Sequence, residues 1–238
     1  MPMTDLYAYL HQNDYPGRGV LLGRSADNAR AVIVYFIMGR SENSRNRVFA
    51  ETNDGIRTQA FDEAKLTDPS LIIYSPVRRC GGTTVVTNGD QTDTIVDALS
   101  RSESFAAALR TRAFEPDAPN FTPRISGALY ENGGYALSIL KSDDGCDAQC
   151  LRQFFEYDAP RAGHGHLIHT YRGDGAPLPS FTGEPVCVAL GDETAQQLAA
   201  RVWDALHPEN RVSLYACTVD LASGARQAHI INRHGGAK

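Results

Sequence analysis

The sequence has few cysteines, and their arrangement does not suggest a disulfide framework. Five cysteines are spread thinly over 238 residues. Only Cys146 and Cys150 are close to each other, and no further ligands of a four-coordinate metal site accompany them. They could form a bridge or bind a metal, but two free thiols are the simpler interpretation. A reducing cytoplasm is therefore the expected setting.

Long apolar runs are absent as well. No stretch approaches the roughly twenty apolar residues that a membrane-spanning helix needs. The first residues do not combine a basic run with an apolar segment, which is the pattern of an export signal. We therefore expect a protein that is neither exported nor inserted in a membrane.

The chain has no excess of positive charge, since its formal net charge is -5 and lysine is scarce. It therefore lacks the general field that attracts nucleic acid, and an anionic ligand must be held by local arginines. Arg40, Arg45 and Arg47 fall within one short segment, and Arg78 is followed by Arg79. Arginine suits fork-like binding of phosphate or carboxylate, although any one of these residues could simply be solvated surface charge.

The hydrophobic pattern predicts strands in two runs, with helices after each run. Residues 31–38 are apolar at every position, which indicates a strand that is buried on both faces. Further strands are predicted at 19–23, 48–51, 55–61, 71–74, 83–86, 124–130, 135–140, 185–190, 212–220 and 227–232. Helices are predicted at 5–11, 93–100, 104–114 and 192–206, and 149–157 fits either a helix or a strand. We expect a single α+β domain over residues 1–238, with stacked antiparallel sheets covered by helices.

A polar turn follows the buried strand that ends near Val86. Asn88 and Gly89 form a dipeptide typical of tight turns, and a helix is predicted to open at Thr92 or Asp93. A turn between a core strand and a helix start is a good place to hold an anion. The alternative is an ordinary corner between a strand and a helix.

Three histidines occur close together at His164, His166 and His169. In a strand, the first two point to one side and the third does not. No acidic partner stands at a fixed spacing, so we expect no metal here. A contact of His169 with a ligand is the more plausible role.

Four motifs occur in the same order as in a known family, and they lie at residues 39–47, 71–74, 87–95 and 120–128. Together they resemble the archaeal-type inosine monophosphate cyclohydrolases. The resemblance is clear from about residue 20 to residue 139 and is weaker over 169–171 and 179–185. It implies a four-layer αββα sandwich like that of the N-terminal-nucleophile hydrolases. The chain begins Met1-Pro2, so the fold would be used without that nucleophile.

The resemblance also implies a reaction, the closure of formamidoimidazole carboxamide ribonucleotide to inosine monophosphate and water. Such a step needs a folded ligand, a base for the amide proton, donors for an anionic oxygen and a grip on the phosphate. No cofactor is required. The expected partners are a small purine ribonucleotide and further copies of the same chain, in a homo-oligomer.

Matched to the family motifs, Arg47 and Tyr74 fall at the active-site arginine and tyrosine. A surface arginine and a core aromatic are the alternatives. The residues expected to bind the substrate are Arg45, Asn88, Gly89, Asp90, Thr92, Asp93, Thr122, Arg124 and His169. For Arg124, a structural salt bridge to Asp93 or Asp90 is the alternative.

One departure from the family concerns the acid and base. Archaeal members place a lysine and a glutamate just before the Thr-Pro-Arg motif, whereas this chain has Glu115 and Asp117 and no lysine nearby. Either carboxylate is a candidate catalytic group. Two other functions remain open: a nucleotide-binding protein without catalysis, and an amide hydrolase that uses a thiol such as Cys80 or Cys217.

Overall fold

The computed structural model describes residues 3–66, 69 and 72–235, and the strands in this part of the chain form two antiparallel sheets. The first sheet contains β1 (Arg18–Arg24), β2 (Arg30–Met38), β10 (His164–His169), β11 (Val186–Ala189), β12 (Arg211–Asp220) and β13 (Arg226–Asn232). Its order in space is β11-β10-β1-β2-β12-β13. The second sheet contains β3 (Arg47–Thr52), β4 (Gly55–Ala60), β5 (Val77–Cys80), β6 (Thr83–Thr87), β7 (Arg124–Leu129), β8 (Tyr135–Asp143) and β9 (Cys146–Tyr157). It is a meander in which the strands follow the order of the sequence.

Helices lie on the outer faces of both sheets. They are α1 (Leu6–His11), α2 (Glu42–Arg45), α3 (Gln91–Ser100), α4 (Phe105–Arg110) and α5 (Ala195–Ala205). The first and last pack on the first sheet, while α3 and α4 pack on the second. A capping box between Thr194 and Gln197 starts α5, as its sequence predicts. None of the helices described is both long enough and apolar enough to span a membrane.

The strand β2 shows why a continuous apolar run is needed. Ile33 and Tyr35 point into the core between the two sheets, whereas Val34 and Phe36 pack beneath the helices on the outer face. Both faces of this strand are therefore out of water. The prediction of a strand buried on two sides is confirmed.

The predicted hairpins β1-β2, β7-β8 and β12-β13 are confirmed, and residues 149–157 belong to a strand. The strand predicted over 71–74 is wrong for 72–74, while Leu71 lies outside the described residues. The reason lies in Thr58: its hydroxyl accepts a hydrogen bond from the Tyr74 amide at 2.9 Å, where a regular ladder would use a backbone carbonyl.

Helix boundaries differ from the predictions by up to four residues, and one α-helix was not predicted. The helix after the polar turn opens at Gln91 rather than at Thr92 or Asp93, with Asp90 as an N-cap whose side chain makes no capping bond. The helix predicted over 104–114 ends at Arg110. The arginine-rich loop holds one helical turn, α2, because Ser41 and Ser44 cap each other across it.

Candidate active site

Three arginines stand where strands begin at one end of the two stacked sheets. Arg18 opens β1, Arg47 opens β3 and Arg124 opens β7. In the packing of the sheets, β1 lies against β7 and β12 lies against β3. The starts of these strands therefore meet at the same end of the core.

Arg47 is buried, with 1% of its surface exposed. Its Nε donates to the Ser44 carbonyl at 2.8 Å, but Nη1 and Nη2 have no hydrogen-bond partner among the described residues. Burial lowers the pKa of Arg47, and the nearby charge of Arg18 lowers it further. A buried cation is costly unless it is partnered. The two free nitrogens are thus available to a ligand oxygen.

Two tyrosine hydroxyls form a pair beside Arg47. The hydroxyl oxygens of Tyr35 and Tyr74 are 2.8 Å apart, and the Tyr35 ring stacks on Phe49 with centroids 5.6 Å apart. Burial, followed by the adjacent Tyr74, raises the pKa of Tyr35 well above its usual range. Tyr35 therefore stays protonated at neutral pH. Because one hydroxyl donates to the other, the second retains a proton for a ligand.

Glu115 lies in the same region and is 3% exposed. Within the described part of the chain, its carboxylate receives no hydrogen bond. Burial raises the pKa of Glu115, while the charges of Arg18, Arg124 and Arg47 act in the opposite direction. A carboxyl group in such surroundings can exchange a proton closer to neutral pH than an exposed one.

Arg18 was not among the residues that the sequence singled out. Its Nε is buried with no hydrogen-bond partner in the described ranges. Burial alone would lower the pKa of Arg18, but Glu115 and the surrounding tyrosines raise it overall. The sequence held one signal that could have identified Arg18, namely its place at the first inward-facing position of a buried apolar strand.

Asp117 and Thr122 hold the loop that leads into β7. Asp117 accepts hydrogen bonds from the Thr122 amide at 2.6 Å and from the Thr122 hydroxyl. The same hydroxyl lies 2.5 Å from that of Tyr171, whose pKa burial raises to about 12. Asp117 is occupied by these bonds, so Glu115 is the freer of the two candidate carboxylates.

The polar turn after β6 is tied to β7 rather than open to a ligand. Asn88 Oδ1 accepts from the Ile125 amide at 2.9 Å and from Gln91 Nε2 at 3.0 Å, and Asn88 Nδ2 donates to the Pro123 carbonyl at 2.9 Å. The buried Thr92 hydroxyl donates to the Gly89 carbonyl at 3.0 Å. These side chains fix the shape of the turn. Gln91 is one of them, although it was not among the residues that the motifs singled out.

Arg124 is held at this turn by two partners. Its Nη1 lies 2.6 Å from Asp90 Oδ1 and 2.7 Å from Gln91 Oε1, so the salt bridge to Asp90 anticipated as an alternative is present. Partial burial would raise the pKa of Asp90, but Arg112 and Arg124 hold it below its usual range. Asp93 is exposed and pairs instead with Arg78 at 2.8 Å.

Two other residues expected at the substrate have protein partners elsewhere. Arg45 Nε donates to the Gly39 carbonyl at 2.9 Å. His169 is fully buried, with Nδ1 2.8 Å from the Tyr171 carbonyl and Nε2 2.7 Å from the Tyr9 hydroxyl. Because a carbonyl only accepts, Nδ1 carries the proton of His169. Burial lowers the pKa of His169 to about 4, so the ring is neutral.

His166 and the thiols of Cys80 and Cys217 form their contacts with residues other than Arg47. His166 Nδ1 lies 2.7 Å from the Tyr135 hydroxyl, and its ring stacks on Tyr157. Among the residues described, no group of three or more histidine, cysteine, aspartate or glutamate side chains is placed to hold a metal ion. Cys217 is buried in β12, and Cys80 is half-buried with its thiol facing the Val96 carbonyl.

Comparison with known proteins identifies the family of this chain. A model described as IMP cyclohydrolase-like protein matches residues 15–223. A Methanococcus aeolicus protein named IMP cyclohydrolase is 29% identical over 133 residues, covering 54% of this chain and 64% of that protein's length. The protein of the same name from Halobacterium salinarum is 30% identical over 156 residues, covering 62% and 76%. For the one from Methanopyrus kandleri the identity is 28% over 174 residues, covering 70% and 79%. The chain belongs to the IMP cyclohydrolase-like family.

Proposed function

We propose that this protein is an IMP cyclohydrolase, which converts formamidoimidazole carboxamide ribonucleotide (FAICAR) to inosine monophosphate and water. The observation that carries the proposal is the buried Arg47 guanidinium, whose two terminal nitrogens have no partner in the described residues. It stands with Tyr74 and Glu115 in a water-poor site. Family membership and the names of the archaeal relatives support the same substrate.

The reaction joins the carboxamide nitrogen to the formyl carbon and removes the formyl oxygen as water. The two hydrogens of that water come from the carboxamide nitrogen and the formamido nitrogen. Negative charge develops on the formyl oxygen as the new bond forms, and it needs donors that are already in position. Arg47 and Arg18 supply N–H groups for this purpose. Holding nitrogen and carbon in contact contributes further to the rate.

Glu115 and Tyr74 divide the proton transfers in this proposal. Glu115 accepts the proton from the attacking nitrogen, since its raised pKa makes it a stronger base than an exposed carboxylate. Tyr74, backed by the Tyr35 hydroxyl, donates a proton to the formyl oxygen and regains one from the formamido nitrogen. Glu115 then returns its proton to the resulting hydroxyl, which leaves as water. Asp117 acts indirectly by holding Thr122 and the loop before β7.

The turn residues that the family motif singled out have a supporting role in this mechanism. Asn88, Gly89 and Thr92 fix the turn, and Asp90 orients the guanidinium of Arg124 at the rim of the site. Gly89 allows that approach, since a Cβ there would lie 2.6 Å from Arg124 Nη1. The substrate therefore meets Arg124 rather than the turn itself.

A thiol-dependent amide hydrolase is less well supported. Burial raises the pKa of the Cys217 thiol, which makes it a weak nucleophile. Neither Cys217 nor Cys80 touches Arg47 or Glu115. Alkylation of the accessible thiols should leave cyclohydrolase activity intact, whereas it would abolish a hydrolase that depends on Cys80. Cys217 is buried, so Cys217→Ala gives the corresponding test for that thiol.

We also propose that the fold is a four-layer αββα sandwich of the N-terminal-nucleophile hydrolase type, used without that nucleophile. Two antiparallel sheets with helices on both outer faces support it. In this proposal residues 1–238 form one domain, which acts in the cytoplasm as a homo-oligomer. Sedimentation of the purified protein would test the oligomer.

The activity test follows the rise in ultraviolet absorbance as inosine monophosphate forms from FAICAR. Arg47→Met and Tyr74→Phe should each lower kcat/KM by about 100-fold, because each removes a donor used in the transition state. Arg47→Met should unfold at a temperature no lower than the wild type, since two of the three nitrogens of the buried guanidinium lack partners among the described residues.

Tyr130→Phe is the matched control, because it removes a tyrosine hydroxyl at the turn between β7 and β8, at the other end of β7 from Arg124. It should keep full activity. A wild-type protein that binds inosine monophosphate with saturation but does not turn over the precursor would favour the nucleotide-binding alternative instead.

A further inference from the structure

A cavity of about 360 Å³ lies where two proline-rich loops meet the end of β8. Residues 119–121 form one wall and residues 177–180 form another. Two cationic side chains, Lys141 and Arg172, line it, together with the hydroxyls of Ser142, Ser180 and Thr182. Asp144 is the acidic residue of the lining. The cavity thus offers several donors to one small ligand.

Lys141 is placed as a buried donor. It is 9% exposed, and its Nζ donates to the Phe181 carbonyl at 2.9 Å. An ammonium group has three N–H donors, so two remain. Burial and then the charge of Arg172 lower the pKa of Lys141, while Asp143 acts in the opposite direction. Two neighbouring cations at a partly desolvated position are unfavourable unless an anion joins them.

The cavity adjoins the candidate active site through backbone contacts. The Phe181 amide donates to the Thr170 carbonyl at 2.9 Å, and the Thr170 amide donates to the Arg18 carbonyl at 3.0 Å. Lys141 follows Leu140, which pairs with Arg124 at the start of β7. It has the same orientation as the inward-facing Ile139, two residues earlier in β8. The cavity therefore adjoins the strand starts that carry Arg18 and Arg124.

We propose that Lys141 and Arg172 bind the phosphate of the ribonucleotide whose heterocycle occupies the Arg47 site. This inference rests on the proposed function, because that function requires a phosphorylated substrate. The positive charges of the two side chains attract a phosphate, and their N–H groups donate strong hydrogen bonds to it. The serine and threonine hydroxyls complete its contacts. In this proposal β8 supplies a lysine that binds phosphate, in a chain that has no lysine just before the Thr-Pro-Arg motif.

The test compares the affinities of inosine monophosphate and inosine, measured by titration calorimetry on the full chain. Arg172→Gln should weaken inosine monophosphate binding about tenfold or more, since a charge-assisted contact is lost. Inosine has no phosphate, and its affinity should not change. Lys141→Met should show the same selective loss, and Lys141→Arg should restore part of it.

Arg57→Gln is the matched control, because Arg57 is an exposed arginine on β4 and its replacement removes the same charge. It should leave both affinities unchanged. Arg172 is itself exposed, so Arg172→Gln tests the proposal even where Lys141→Met does not fold. If inosine binds too weakly to measure, the test is the affinity of Arg172→Gln for inosine monophosphate compared with that of Arg57→Gln.

The proposal is overturned if Arg172→Gln binds inosine monophosphate as tightly as Arg57→Gln, or if the wild type does not bind it. Turnover of the precursor with an unchanged KM in Arg172→Gln would remove the phosphate site and leave the proposed enzyme function standing. The wild type could instead bind inosine monophosphate through its phosphate and Arg172 but fail to turn over the precursor. That result would support the phosphate site and contradict the catalytic function.

Discussion

At the scale of single residues, the candidate site is distinguished by charged side chains that are buried without a full set of partners. Arg47 and Glu115 are both nearly inaccessible, and neither forms a salt bridge with a described residue. Such groups reduce stability, so their presence points to a role other than holding the fold. Arg124 differs, because Asp90 and Gln91 already hold it.

The pH dependence of activity should reveal Glu115 as the base. Its pKa is raised above 4.5, so the carboxylate is lost as pH falls through that higher value, and kcat/KM of the wild type should fall with it. Glu115→Gln should have a rate reduced by about 100-fold and no such acidic limb. The absorbance assay, run from about pH 5 to about pH 8, measures both profiles.

Glu103→Gln serves as the control, since Glu103 is an exposed carboxylate paired with Arg101. It should reproduce the wild-type profile. An acidic limb that persists unchanged in Glu115→Gln would assign the base to another group. Circular dichroism at each pH separates loss of the base from loss of the fold.

At the scale of elements, the turn between β6 and α3 joins the second sheet to the rim of the site. The buried amide of Asn88 binds the start of β7, and Gln91 in the first turn of α3 binds Arg124. A strand, a turn and a helix thereby orient a single guanidinium. Gly89 is required because the guanidinium approaches its Cα closely.

Gly89→Ala should therefore disturb this turn. A Cβ at residue 89 would lie 2.6 Å from Arg124 Nη1 and 2.7 Å from Gln91 Oε1, so one of these groups must move. We expect a loss of roughly 1–3 kcal/mol in the free energy of unfolding, from overpacking in a buried region. Urea unfolding measures the loss, and KM for the precursor should rise as Arg124 shifts.

Gly173→Ala is the comparison for that measurement. A Cβ there meets Asn13 Oδ1 at 3.9 Å, an ordinary contact distance. Its stability should match the wild type. Equal stability and equal KM in Gly89→Ala would show that the turn relaxes without moving Arg124.

Two histidines on β10, the half-buried His166 and the fully buried His169, make the stability of the whole molecule depend on pH. Burial lowers the pKa of both His166 and His169 to about 4, from an ordinary value of 6.5. The unfolded chain therefore takes up protons that the folded chain does not. Their contribution to stability is fully present above pH 6.5 and is lost as pH falls toward 4.

His169→Gln should flatten this dependence. The variant loses the bond to Tyr9 or to the Tyr171 carbonyl, so it should be less stable than the wild type at pH 7. Between pH 6.5 and 4, its stability should fall less steeply, by up to about 1.4 kcal/mol per pH unit. Urea unfolding at several pH values gives the slope.

His11→Gln, at an exposed position in α1, controls for the loss of a histidine as such. Its slope should equal that of the wild type. Carboxylates with a lowered pKa, such as Asp90, act below about pH 4. Glu115, whose pKa is raised, is present in the wild type and in both variants, so its contribution cancels when their slopes are compared. An unchanged slope in His169→Gln would mean that its ring does not titrate as burial requires.

The strands and helices with a long and regular hydrophobic period could be predicted from the sequence. The continuous run of β2, the hairpins β7-β8 and β12-β13, and the stripe of α5 follow from side-chain alternation and turn residues. The sequence also indicated the family, through short motifs in a conserved order along this chain. It marked Arg47, Tyr74 and Glu115 as candidates because each falls in or beside such a motif.

Which polar residues lie together depends on the packing of the two sheets and could not be predicted from the sequence. Alternation tells which side of a strand a residue occupies, but not which layer faces that side. Arg18 and Lys141 came to the same end of the molecule as Arg47 because β1 lies against β7 and β10 lies against β8. Arg45 and His169 bind Asn210 and Tyr9, which are also distant from them in the chain. These contacts join residues far apart in the chain, and local sequence carries no physical record of them.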